Sequence, residues 1–309
     1  MTNRQQKVSF KNSFSSSSTI DIGIPQGSIL GPLLFAIYIN DLPLSIRNVK
    51  VDMYADDTTL HVAHKNPQDI QLSLQSAMND LTVWLERNKL VLNVDKTKIM
   101  LIGSAHNLKN IKSDTINVNV NGKMLEIVDS AKMLGVEVDS FLNFNNHVAN
   151  ISKKISCKIG FIRRIKSCIP RHVLSLLFNA IVNPHFEFCS QVWSGASAMN
   201  IEKLFKLQKR GLRTICDAKW NEPSEKLFTQ LNWVPLPQKF LQNDCIMMFK
   251  CMHEMAPPYL CSRFQFFSSR ANNIRSTRQQ EQNIYDSPNV KQTRTKNLFY
   301  LEEAVYGTP

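Results

Sequence analysis

Strand-length apolar runs alternate with helical stretches up to about Asp139, and from Asn143 onward the pattern is helical throughout. Gln6–Phe10 and Thr19–Ile24 read as two short extended segments around a loop at Ser15–Ser18. Pro25-Gln26-Gly27 interrupts the chain, and Ser28 is placed to cap an apolar helix from Ile29 to about Asp41, stopped by Pro43. That helix is apolar nearly all round, which predicts deep burial. Two apolar strands, Val49–Ala55 and Thr58–Ala63, flank the acidic pair Asp56-Asp57. Ile70, Leu74, Ala77, Leu81 and Trp84 recur at spacings of four and three, predicting a helix over Pro67–Asn88. Lys98–Ile102 is a further strand. Ile116–Val120 and Met124–Val128 flank Asn121-Gly122, whose ease at positive φ predicts a tight hairpin. Met133–Val138 completes the strands.

Beyond the break, Phe144, Val148, Ile151, Ile155, Ile159, Ile162 and Ile165 mark one helical stripe. Pro170 opens a second helix running to about Val192 with a bend at Pro184. Ile201–Cys216 and Pro237–Met255 read as later helices, and after Pro257-Pro258 the chain turns polar and Arg-rich. The expected organisation is a connecting piece at 1–24, an α+β domain at 25–142, an all-helical domain at 143–262 and a basic, poorly ordered tail at 263–309. From Ser28 the order helix, strand, strand, helix, strand is that of a split βαββαβ unit lacking its first strand. That strand is central in such a sheet. A gap only partly closed is therefore expected beside Lys98–Ile102 and the acidic hairpin, Thr19–Ile24 being tied to Pro25 and unable to reach it.

Charge narrows the class of partner. Thirty-seven Lys and Arg against twenty-five Asp and Glu give +12 over 309 residues, which suits a polyanion. No acidic residue occurs between Asp139 and Glu187, yet Lys153, Lys154, Lys158, Arg163, Arg164, Lys166 and Arg171 do. Lys203, Lys206, Lys209, Arg210 and Arg213 add a second basic face. Such a distribution favours tracking of nucleic-acid phosphates over a merely solvated surface, and the sparse aromatics argue against base stacking as the main contact. Seven irregularly spaced cysteines without a Cys-x-x-Cys pair fit no common zinc module and point to a reducing, intracellular setting. Met1–Ser18 is polar and serine-rich, unlike a secretory signal, and no apolar run reaches the ~20 residues of a membrane span.

The candidate chemistry sits at Tyr54-Ala55-Asp56-Asp57. Adjacent carboxylates at a hairpin tip repel one another, and a divalent cation removes that conflict. Mg²⁺ prefers carboxylate oxygens and keeps waters and substrate phosphates as its other ligands. Two-metal phosphoryl transfer needs carboxylates from more than one chain segment around ions about 3.5–4 Å apart. Asp is also a common turn residue, so a solvated tip is the ordinary alternative.

The flanking residues bear on that choice. Ile24-Pro25-Gln26-Gly27-Ser28-Ile29-Leu30-Gly31-Pro32-Leu33-Leu34-Phe35, then Tyr38-Ile39-Asn40-Asp41-Leu42-Pro43 and the acidic turn, resemble motifs B and C of the reverse transcriptases of non-LTR retrotransposons. Trp84, Asn88, Leu90, Leu92-Asn93 and Lys96-Thr97-Lys98 resemble motif D, and Leu134-Gly135-Val136 motif E. Leu177-Phe178 through Pro184 to Val192-Trp193, and Phe249-Lys250 to Pro258-Tyr259-Leu260, are similar to the family's thumb region. The resemblance extends over about Arg4 to Phe264.

It implies an RNA-directed DNA polymerase that uses two Mg²⁺ and dNTPs, with an RNA template and a DNA primer as partners, and a nuclear location. The fold implied is a polymerase palm, lacking its first strand, followed by a helical thumb. Asp56 would hold metal with Asp57 beside it, and Lys96 would protonate departing pyrophosphate. Gln26, Gly27 and Ser28 would border nucleotide and template, and Leu134 and Gly135 would form the primer grip. Lys153, Lys154, Lys158, Arg163, Arg164, Lys206 and Arg210 would follow the nucleic-acid backbone. The family's motif A aspartate would precede Met1, and Asp21, four residues before Pro25, cannot replace it. The expectation is a polymerase fragment inactive alone, truncated at both ends. The alternatives are an enzyme whose N-terminal part lies upstream and a non-catalytic nucleic-acid-binding protein of the same fold.

Overall fold

The computed structural model describes residues 4–20, 27–110, 116–262 and 298–307. The chain forms two compact units, one of Met1–Ala131 with Arg294–Pro309, the other of Lys132–Thr293. The boundary by contacts thus falls ahead of the composition break.

In the first unit, β1 (Arg4–Gln6) pairs antiparallel with β4 (Ser18–Ile20), enclosing the pair β2 (Ser9–Phe10) and β3 (Ser13–Phe14). The turn therefore lies at Lys11, at φ 45°, and not at Ser15–Ser18. Helix α1 (Gly31–Ile39) and the short α2 (Leu42–Ser45) lead to β5 (Lys50–Tyr54) and β6 (Asp57–His61), joined by a two-residue turn. Then come α3 (Pro67–Arg87), β7 (Leu90–Leu92), β8 (Lys98–Ile102) and α4 (Ala105–Asn110). The tight pair β9 (Asn119–Val120) and β10 (Lys123–Met124) follows, then β11 (Glu126–Val128). Asn121 and Gly122, at φ 52° and 82°, make the left-handed turn that an Asn-Gly pair favours.

The core lies between α3 and the sheet. Ile70, Leu74, Ala77, Met78, Leu81, Trp84 and Leu85 form the buried stripe of α3, against Leu60, Val62, Leu90, Leu92 and Ile99. Each large aliphatic so buried contributes about 1.5–3 kcal/mol. The Gln75 amide locks the small hairpin to this helix, accepting the N–H of Asn119 and donating to its carbonyl, both at 2.8 Å.

Two expectations are overturned here. Helix α1 is not deeply buried: Leu33 and Ile37 are 58% and 65% exposed, and only Ile39 is buried. Its uniform hydrophobicity leaves more apolar surface than the one face that packs. Nor does Ser28 cap it, since the N-cap is Leu30 without a side-chain bond. The second correction concerns the tail and the gap. β14 (Leu298–Gly307), within the stretch read as poorly ordered, enters a six-stranded sheet in the order β11-β8-β14-β6-β5, with β7 also on β14. It runs antiparallel to β6, β8 and β7, with Glu303 opposite Thr58, Glu302 opposite Lys98 and Val305 opposite Leu92. The place expected to stand open, between β6 and β8, is filled from the far end of the chain. Thr19–Ile20 lies instead in β4, and Asp21–Gln26 falls outside the described residues.

The second unit opens on a hairpin and continues in helices. β12 (Ser130–Met133), which spans the junction, pairs with β13 (Val136–Asp139). The single strand expected at Met133–Val138 is thus two, folded at Leu134 and Gly135 with φ 45° and 89°. Helix α5 (Asn145–Ile165) buries Val148, Ile151, Ile155, Ile159 and Ile162, the stripe read from sequence. The helix expected from Pro170 to Val192 is three pieces, α6 (Arg171–Ile181), α7 (Asn183–Glu187) and α8 (Ser190–Trp193). Pro184 opens the second, and Cys189 at φ 49° separates the third. Helix α9 (Ala198–Cys216) starts where Ser197 Oγ accepts the N–H of Asn200 at 3.3 Å. It packs on α5, α6, α11 (Leu236–Met252) and α10 (Ser224–Leu231), the last unforeseen. The short α12 (Pro258–Cys261) ends the described helices. No helix among the described residues is long and apolar enough to cross a membrane.

Candidate active site and nucleic-acid interface

In the first unit the acidic pair occupies the β5–β6 turn. Tyr54 and Asp57 are paired across it, which leaves Ala55 and Asp56 as the loop, Ala55 at φ 54°. A positive φ on a residue with a Cβ is uncommon, and it leaves Asp56 exposed at the tip. Asp57 is half-buried, and its carboxyl is raised above the ordinary aspartate range, first by burial and then by the negative charge of Asp56. The charge of Lys96 acts in the opposite direction on the same carboxyl.

Lys96 reaches this neighbourhood because the link between β7 and β8 is a tight turn built on Asn93. The Asn93 carbonyl accepts the N–H groups of Lys96 and Thr97, both at 3.1 Å, and the Thr97 hydroxyl at 2.9 Å. Its side-chain oxygen takes the Lys96 N–H again at 3.2 Å, and Thr97 is fully buried. Asp56, Asp57 and Lys96, drawn from two turns, form one electrostatic group. Tyr54 is 66% exposed, so it does not pack beneath the pair.

The other sequence-derived candidates come from other segments of the chain. Gln26 falls outside the described residues; Gly27 sits at φ 80° with open space where a Cβ would be, and Ser28 accepts the N–H of Gly31 through its carbonyl. Leu134 and Gly135 belong to the second unit, where they form the β12–β13 turn. A Cβ on Gly135 would come within 3.0 Å of the Phe188 ring, an aromatic that sequence reasoning did not single out. Both Leu134 and Phe188 are about half exposed.

On α5, Lys153, Lys154, Arg163 and Arg164 are exposed on the side away from the isoleucine stripe. Lys158 is different: it is half-buried, and its ammonium donates to the Ile181 carbonyl at 2.8 Å. Lys206 and Arg210 are exposed on α9, and Lys209 lies over the Phe205 ring at 3.8 Å. Arg163, Lys166, Arg210 and Arg213 converge where α5 and α9 end, beside Trp220. Sequence reasoning passed over that tryptophan, although a lone Trp between Lys219 and Asn221 was the available signal.

Among the described residues no group of three or more His, Cys, Asp or Glu could hold a metal ion. The Asp56-Asp57 pair supplies hard oxygen donors from one segment, which fits one divalent cation completed by other ligands and does not complete a second.

Residues 3–138 match the family of reverse transcriptases (RNA-dependent DNA polymerases). The chain is 27% identical over 242 residues to a probable RNA-directed DNA polymerase from transposon BS of Drosophila melanogaster, covering 75% of this chain and 26% of that protein. It is 28% identical over 218 residues to the RNA-directed DNA polymerase from mobile element jockey of the same organism, covering 67% and 23%. A retrovirus-related Pol polyprotein from a type-1 retrotransposable element R1 of Nasonia vitripennis is 20% identical over 275 residues, covering 85% and 80%. The chain thus spans about a quarter of the length of the first two relatives. No solved structure matches it. The acidic turn thus lies inside the residues that match the reverse transcriptase family, and the relatives to which the chain is similar are RNA-directed DNA polymerases of mobile elements.

Proposed function

We propose that the first unit is the palm, and the second the thumb, of an RNA-directed DNA polymerase, and that this chain alone does not polymerise. The observation that carries the reading is the coupling of Asp56, Asp57 and Lys96 at two turns of one sheet. A carboxyl raised by burial and then by its neighbour's charge is one that a bound cation would stabilise. Asp56 and Asp57 would hold Mg²⁺ by their carboxylate oxygens, and that ion, when bound, would neutralise charge on the phosphates of a dNTP. Asp57 would keep the metal on the sheet side of the turn. Lys96 would hold the proton given to departing pyrophosphate. Gln26, Gly27 and Ser28 would border the nucleotide, and Leu134 and Gly135 the primer terminus. Among the described residues no third acid joins Asp56 and Asp57, and two-metal transfer needs a carboxylate from a further segment, which is the reason to expect no turnover.

Primer extension on a homopolymer RNA template with Mg²⁺ or Mn²⁺ tests this. No extension above an Asp56→Ala control is expected, while clear extension above it would overturn the claim of inactivity. Mg²⁺ titration should lower the Asp57 pKa, measured by NMR, and Asp56→Ala should lose that response. An unchanged Asp57 would count against the metal assignment.

A second reading, a non-catalytic binder of nucleic acid, is favoured by the exposed cations on α5 with no acid between Asp139 and Glu187. Its binding would weaken with salt at a log–log slope of about −0.9 per phosphate neutralised on duplex DNA. Replacing Lys153, Lys154, Arg163 and Arg164 by Ala should make the slope shallower, and an unchanged slope would send the binding elsewhere.

A further inference from the structure

A cavity of about 350 Å³ opens where α5 and α9 end, within the usual range for small-ligand sites. Arg163 and Lys166 come from the end of α5, Arg210 and Arg213 from α9, and Asp217 and Trp220 from the loop that follows. The charges do not cancel. Lys166 is paired with Asp217, and among the described residues no salt bridge engages Arg163, Arg210 or Arg213. Arg213 donates one guanidinium N–H to the Glu222 carbonyl at 3.1 Å, while its Nε is buried without a partner. Three uncompensated guanidinium groups facing one concavity are the planar, forked donors that suit a phosphate.

Helix ends attract cations on their own account, because the last carbonyls point outward. That explains the arginines and leaves the ring unexplained. Trp84 and Trp193 are buried, and Trp233 lies against Phe178 with ring centroids 4.5 Å apart. Trp220 is 87% exposed at the rim of the cavity. A large flat ring held in water beside uncompensated cations is the arrangement by which proteins take an unpaired base and its phosphate together. A base inside a duplex is already stacked on its neighbours, so the ring selects against duplex.

We propose that this pocket binds one unstacked nucleotide of a single-stranded nucleic acid, with Trp220 stacking on the base and Arg163, Arg210 and Arg213 holding the adjacent phosphate. The proposal rests on the nucleic-acid-binding reading of the second unit and adds a base contact to it. DNA and RNA strands share the chemistry invoked.

The test compares short oligo(dT), oligo(rU), an abasic strand with the same number of phosphates, and a duplex, each titrated into the full chain. Trp220→Ala should weaken oligo(dT) binding about tenfold, in the range of one base–aromatic stack, and leave the abasic strand and duplex unchanged. Trp220→Phe should restore most of the loss. Arg210→Ala should weaken both oligo(dT) and the abasic strand, and should make the single-strand salt slope shallower by about 0.7. Equal loss for oligo(dT) and oligo(rU) supports the shared chemistry, and loss for only one strand type would overturn it. Unchanged oligo(dT) binding by Trp220→Ala, or equal losses for oligo(dT) and the abasic strand, would overturn the stacking role. If wild type binds none of the probes, the wider reading fails with it. If wild type binds and Trp220→Ala makes no difference, only the pocket fails.

Discussion

The carboxylate of Asp139 accepts the backbone N–H of Phe144 at 2.6 Å, and those of Phe141 and Asn143 at 3.0 Å. Phe144 stands in the left-handed region at φ 55° and offers α5 no side-chain cap of its own. The cap comes from the end of β13, so one carboxylate fixes the passage from hairpin to helix. Asp139→Ala should destabilise the second unit by about 1–3 kcal/mol, the range for losing charged hydrogen bonds at a helix start. Urea unfolding followed by helical circular dichroism measures it. A cost under about 0.5 kcal/mol would show that water replaces the carboxylate.

Gly211, in the middle of α9, faces the buried ring of Phe178 on α6, and a Cβ there would overlap the ring edge. Elsewhere in a helix, glycine to alanine gains about 1 kcal/mol. Here the sign should reverse, with Gly211→Ala costing about 1–3 kcal/mol through overpacking, because the ring is enclosed and cannot swing away. Combining it with Phe178→Leu should return part of that loss. A stabilised Gly211→Ala protein would mean the two helices separate more freely than their packing implies.

Legibility followed local signals. Lys98–Ile102 and the limits of α3 could be read nearly to the residue, because the apolar spacing of each is strict and Pro67 marks the start. The turn between β5 and β6 was legible too, as an acidic pair between two apolar runs. Turns made by residues without a positive-φ preference were not: Leu134 folds β12 onto β13, and Cys189 breaks the helix after Phe188. The exposure of α1 escaped a reading that equates hydrophobicity with burial. β14 could not be read at all, since its partners, β6, β7 and β8, lie some two hundred residues upstream. Trp220 escaped because its meaning depends on two helix ends brought together by folding.

His147 is 5% exposed, accepts the N–H of Glu137 on Nδ1 at 3.3 Å, and lies 5.4 Å from the ring of Trp193. Burial, first of all, lowers its pKa, with Lys154 adding and Glu137 opposing. His185 is lowered as well, by burial and then by Lys158 and Lys154. Both are therefore neutral in the folded unit, while in the unfolded chain a histidine takes a proton near pH 6.5. The unfolded state then binds more protons, so stability is complete above about pH 6.5 and falls as the pH drops toward the lowered folded values. Urea midpoints of the second unit should decline as the pH falls below about 6.5, and His147→Gln should flatten that decline. A midpoint that holds or rises on acidification would contradict the neutral assignment.

β14 makes the final case, because it joins the strands on either side of it in one sheet. On one edge it pairs with β6 through Glu303 and Ala304, and on the other with β8 through Leu298–Glu302 and with β7 through Val305–Gly307. The orientation, antiparallel to β6 and β8 alike, is that of the first strand in a split βαββαβ unit. Ending the chain after Asn297 would leave the facing edges of β6, β7 and β8 without partners, and each buried group so orphaned costs about 1–3 kcal/mol. Water satisfies some of them, yet several such groups are a large share of a stability of about 5–15 kcal/mol. The truncated protein should therefore lose hydrogen-exchange protection across Lys50–His61 and Lys98–Ile102, while α5 and α9 keep theirs. A peptide of residues 298–307 added in trans should restore the protection in proportion to its concentration, since the slot it fills is backbone pairing. If truncation leaves β6 and β8 as protected as before, those strands close on each other without it, and β14 is an adjunct to the sheet instead of its centre.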